Sequence, residues 1–135
     1  MAKKKEQAPH FSEGISAVCK MMDDAMKDYA WNYDQLMRMD QLTQDYLHKL
    51  ELDDLSYSER AKIATQLRNC RKIRREHKDT KDTLEPLVQF LESDRGKNMM
   101  NFLREALGKT RKVEAKMANR IYRPRVLPAE EFPAL

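Results

Sequence analysis

The sequence predicts an all-α protein: three long helices in an antiparallel, coiled-coil-like bundle, followed by an extended Pro-rich C-terminal tail. Three observations carry this. Apolar residues recur at alternating steps of three and four along three segments, which is the period of a helix. Only 3 of the 135 residues are Gly, while 36% are charged and 41% hydrophobic, so helix-forming Lys, Arg, Glu, Met and Leu dominate. Val and Ile are scarce, and no stretch alternates with the period of two that a half-buried strand requires.

The first helix is expected from Ser12, a good capping residue, to Leu50. Its seam is Ile15, Val18, Met22, Ala25, Tyr29, Leu36, Met39, Tyr46 and Leu50, with polar Asn32 and Thr43 as exceptions. The acidic stretch around Asp53-Asp54 ends it. Ser56 and Glu59 then have the spacing of a capping box, so the second helix starts at about Tyr57.

The second seam is Ile63, Leu67, Cys70, Ile73, His77, Thr80, Leu84, Leu87 and Leu91, and it is weakest at His77 and Thr80. Pro86 lies inside it and has no amide to offer the carbonyl of Asp82, which predicts a kink over residues 82–86 or two helices in series. Ser93-Asp94-Arg95-Gly96 reads as the second connection. The third helix then runs from about Lys97 to Tyr122, with Met99, Leu103, Ala106, Thr110, Val113, Met117 and Ile121 inward. Gly108 weakens it by about 1 kcal/mol relative to Ala unless close packing requires it. Pro124 stops it, and the segment from Arg123 to Leu135 is expected to be extended.

The domain plan is therefore a flexible basic N-terminus (1–11), a single bundle (12–122) and a tail (123–135). Short connections favour an up-down-up order. With the third helix shorter than the others, one end of the first hairpin would be a bare two-helix stalk. Seam residues there stay exposed unless a second copy or a partner covers them.

Composition also limits function. No apolar run approaches the roughly 20 residues of a membrane span. Ala2-Lys3-Lys4-Lys5 leads into polar residues and not into a signal sequence, so a cytoplasmic protein is expected. Cys19 and Cys70 lack CxxC spacing and read as small buried thiols. Asp45, His48 and Glu51 lie one turn apart, but no second Glu-x-x-His accompanies them, so neither a metal nor another cofactor is expected. No nucleophile–His–acid order or phosphate loop occurs, which argues against an enzyme.

Charge is unevenly placed. Residues 11–55 carry ten acids and four bases, residues 60–82 nine bases and three acids, and residues 104–125 eight bases and two acids. Part of this asymmetry can be internal pairing between an acidic first helix and basic later ones. On the second helix Arg68, Arg71, Arg75 and Lys78 follow one another at steps of three or four, with Lys72, Arg74 and Lys81 beside them. Such a stripe fits a phosphate backbone or an acidic protein, or simply a solvated face. A second basic group, Lys109, Arg111, Lys112, Lys116, Arg120, Arg123 and Arg125, surrounds Tyr122. The candidate binding residues are therefore Arg68, Arg71, Arg74, Arg75, Lys78, Arg120, Tyr122 and Arg123. Trp31 and Tyr33 lie off the main seam and are expected in the core beneath the third helix; if that helix packs elsewhere, they form an exposed aromatic anchor.

Leu47-His48-Lys49-Leu50-Glu51-Leu52, the run from Arg71 to Asp79 and Leu84-Glu85-Pro86-Leu87 together cover about a third of the chain. This pattern resembles small helical proteins encoded by phages and integrated elements of Gram-positive bacteria. The resemblance implies an accessory protein in a bacterial host that binds and modulates or inhibits a host protein, such as a nucleic-acid-processing or defence (CRISPR-like) complex. Direct, sequence-independent DNA or RNA binding is the second expectation. Oligomerisation as a structural or assembly protein is the third.

Overall fold

The computed structural model describes residues 10–121, 126–127 and 130–131. It contains three helices, α1 (Phe11–Leu52), α2 (Tyr57–Glu92) and α3 (Asp94–Ala118), and no strand among the described residues. The expected all-α class therefore holds. No helix in this region is long and apolar enough to cross a membrane. The basic N-terminus, Tyr122, Arg123 and most of the tail lie outside the described residues.

At 42 residues, α1 is a rod of about 63 Å and the spine of the molecule. Its start differs from the expected one. His10 occupies the cap position and contributes no side-chain cap bond, while Ser12 is already helical and buried. The orphan amide of Ser12 instead donates to Glu114 Oε1 on α3 at 3.0 Å, and the Ser12 hydroxyl donates to Oε2 of the same carboxylate. A helix end needs acceptors for its free amides, and here another helix supplies one.

The hairpin turn follows expectation. Asp53 ends α1, and Ser56 Oγ caps α2 by accepting from the Glu59 amide at 3.2 Å. Leu55 closes the turn and is buried. α2 continues through Pro86 as one helix, so the alternative of two helices in series does not occur.

The second connection is much shorter than expected. Ser93 alone is non-helical; its amide closes the last turn of α2 onto Gln89 and Phe90, and its hydroxyl accepts from Gly96 to cap α3. One residue is too short to lay α3 back beside α2, because helical hairpins need two to five. The up-down-up order is accordingly corrected. Arg74 meets Asp40, whereas Arg104 meets Asp23 and Glu114 meets Ser12. Both α2 and α3 therefore run antiparallel to α1 and occupy it in succession.

The core shows how α2 and α3 face inward. Cys19, Leu91 and Met100 form its centre, with Ile15, Met22, Met26, Leu87, Met99 and Leu103 packed around them. On α2 the inward rows are buried Ile63 and Cys70 on one side and, at seven-residue steps on the other, half-buried Leu67, Arg74 and Lys81 with buried Val88. Arg74 and Lys81 replace the expected Ile73 and Thr80, which lie outside. Their side chains are only 22% and 17% exposed, because long stems cover apolar surface while the charged ends reach acids. On α3 the buried row is Gly96, Met100 and Leu107; of the expected inward residues Met99 and Leu103 pack against the core, while Ala106 and Val113 are exposed.

The polar exceptions in the two seams meet each other. Buried Asn32 gives its amide to the Asp28 carbonyl at 2.8 Å and places Oδ1 2.9 Å from His77 Nδ1. Buried Thr43 donates to the Met39 carbonyl at 2.8 Å and lies 3.5 Å from Cys70 Sγ. Both cysteines are free and buried. These polar layers fix the register of α1 against α2 in the way a polar residue does at a coiled-coil seam.

Candidate functional site

Near the hairpin turn α1 and α2 pack on each other, while α3 meets α1 at Ser12 and Asp23 and in the core between Ile15 and Met26. This is the bare stalk. A shallow open groove runs along it, floored by Leu50, Ala64 and Leu67 and rimmed by Arg68, Arg71, Lys72 and Arg75. Leu67 belongs to the row facing α1, and Ala64 and Arg71 stand beside it one turn away, so helical spacing brings apolar floor and basic rim together.

The four rim cations are exposed, and none forms an ion pair among the described residues. Their neighbours in sequence behave differently. Arg74 is half-buried and ties α2 to α1 through its Nε donating to Asp40 Oδ1. Lys78 is paired with Asp82 at 2.9 Å, and Lys81 lies between Asp82 at 3.4 Å and Glu85 at 3.8 Å. The basic stripe expected from Arg68 to Lys78 is therefore divided. Arg68, Arg71 and Arg75 remain together, while Arg74 and Lys78 are engaged within the molecule. Lys72 joins the rim, and Leu50 supplies part of the floor from the facing helix.

The second basic group does not reach this groove. Lys109 pairs with Glu105 at 3.0 Å on α3, and Arg120 is exposed just past the end of that helix, its guanidinium against the Met117 sulfur. Tyr122, Arg123 and Arg125 lie outside the described residues. Part of the charge asymmetry is internal, as Arg74–Asp40 and Arg104–Asp23 show, but the groove rim is not consumed by it.

The aromatic pair is a correction. Trp31 is 57% exposed and Tyr33 45%, because α3 packs on an earlier part of α1 and leaves them uncovered. Trp31 sets its edge on His77, with ring centroids 5.2 Å apart, and Tyr33 lies 5.7 Å from Lys81 Nζ. They are anchored from beneath and open above.

The geometry is a helical hairpin that carries an apolar, cation-rimmed groove. No protein-family model, curated protein or solved structure matches the chain.

Proposed function

We propose that this is a non-catalytic accessory protein that binds a partner protein through the stalk groove and thereby modulates it. The observation that carries the reading is an apolar floor of Leu50, Ala64 and Leu67 inside a rim of four cations left without carboxylate partners among the described residues. An apolar floor suits the buried face of an amphipathic helix, and the rim suits acids flanking that face. A bare phosphate backbone would use the rim and leave the floor idle. The resemblance to phage and mobile-element proteins makes a host nucleic-acid-processing or defence complex the natural class of target.

The experiment is capture of partners from a Gram-positive lysate, with and without nuclease, using the wild type and Arg71→Glu/Arg75→Glu. A discrete protein retained after nuclease and lost with the double variant is expected. Equal retention by the variant would overturn the groove as the binding site.

Direct nucleic-acid binding is the second reading, favoured by the same four cations on one helix. If they contact phosphates, the logarithm of affinity falls against the logarithm of salt with a slope of roughly −3 to −4. Capture that vanishes with nuclease, together with that slope, selects this reading over the first.

A further inference from the structure

The stalk groove is one end of a longer surface. On α1, Cys19, Met26, Tyr33, Asp40 and Leu47 lie at seven-residue steps in one row. The facing row of α2 is Leu67, Arg74, Lys81 and Val88. The two rows meet in antiparallel register. Arg74 holds Asp40, the Lys81 ammonium lies 5.7 Å from the centre of the Tyr33 ring, and Met26 and Val88 line one recess. The same interval sets Leu47 opposite Leu67, on the floor of the stalk groove.

At its other end this flank of α1 already carries a helix. Cys19 and Met26 belong to the core that α3 completes, and α3 begins where Met22 and Met26 share a recess with Lys97 and Met100. Beyond that point the row is uncovered. Tyr33 is 45% exposed, Leu47 48%, and Met37, one turn from Tyr33 on the same flank, 49%. The open stretch from Tyr33 to Leu50 is about 26 Å long, which matches a helix of about 17 residues. Its walls differ in charge. The α2 wall holds Arg68, Arg71 and Arg75, without carboxylate partners among the described residues, whereas on the α1 wall Met37 is followed by Gln41, Gln44 and His48 at steps of three or four.

We infer that this flank seats a single helix of a partner protein, laid end to end with α3 and carrying acids along one side of its apolar stripe, the side toward α2. The seat includes the stalk groove and rests on its binding role; it adds Tyr33, Met37 and Leu47 to the contact. Two observations select the occupant. α3 shows that a helix packs on this flank of α1, and the free guanidinium groups of the α2 wall call for opposite charge on one edge only. The α3 of a second copy has the wrong sign, since Asp94–Ala118 carries seven bases and three acids.

Fluorescence anisotropy of the full chain with a labelled peptide tests this. The probe is an alanine-based helix of about 17 residues, with Leu at steps of three and four and Glu along one edge of that stripe. Saturable binding below about 100 µM is expected, weaker by about tenfold or more when the Glu residues are replaced by Lys. Arg71→Glu/Arg75→Glu and, separately, Met37→Glu should each weaken it by about tenfold or more, with helix content unchanged by circular dichroism. Trp31 lies about 200° around α1 from Tyr33, so Trp31→Ala should leave the affinity within about twofold. Loss with the arginine variant but not with Met37→Glu would overturn the longer seat and leave the stalk groove as a shorter site. Absence of saturable binding, equal binding of the lysine peptide, or an equal loss with Trp31→Ala would overturn it as well.

Discussion

Alanine at position 96 places a methyl group where there is already backbone. The new Cβ would lie 1.9 Å from the Phe90 carbonyl oxygen, 2.7 Å from its carbon and 2.8 Å from the Leu91 Cα. Ordinary contact is about 3.5 Å, so α3 must withdraw from the last turn of α2 by roughly 1.5 Å. Because the obstacle is main chain, no rotamer change relieves it. Withdrawal also separates Leu91 from Met100, two residues at the centre of the core. Overpacking of this kind costs about 1–3 kcal/mol or more, against about 1 kcal/mol gained in helix propensity. The net expectation is destabilisation of about 1 kcal/mol or more. Gly108 is the internal control, since a Cβ there meets nothing within 4 Å. Gly108→Ala should stabilise α3 by up to about 1 kcal/mol. Urea unfolding followed by the helical circular dichroism signal reads both. If Gly96→Ala is as stable as the wild type, the close joint between α2 and α3 is refuted.

Two further predictions concern polar contacts between helices. Asn32→Ala strands His77 within the α1–α2 seam and should cost about 1–3 kcal/mol, whereas Asn32→Leu with His77→Leu should be at least as stable as the wild type while loosening register; urea midpoints separate the two, and equal losses would contradict the pairing. The Ser12 hydroxyl, and then the Ser12 amide, hold the Glu114 carboxyl below its ordinary value of 4.5. A lowered folded value means that this contact stabilises the protein above the ordinary glutamate range and is lost as pH falls through the lowered value. Glu114→Gln should therefore reduce the urea midpoint at pH 7, and its difference from the wild type should shrink on acidification. A difference constant from pH 7 to pH 3 would show that the carboxylate does not fasten α1 to α3.

Helix periodicity, the Ser56–Glu59 cap and the absence of strand-forming runs determined three helices and the first turn, because these depend on neighbours within four residues. The polar seam positions Asn32, Thr43 and His77 were legible as irregularities, but their partnership depends on register between helices. Choosing inward rows by hydrophobicity placed Ile73 and Thr80 inside, where the fold uses Arg74 and Lys81; a long cationic stem can cover a seam while its charge reaches an acid elsewhere. Arg68, Arg71 and Arg75 were visible as a basic run. Only the packing separates them from Arg74 and Lys78, since ion pairing is settled by which carboxylates stand within a few ångströms. The direction of α3 was likewise a tertiary matter. It follows from a one-residue joint and from Gly96, whose lack of a side chain lets α3 start against the end of α2, so that α3 covers the first turns of α1 and leaves Trp31 and Tyr33 exposed.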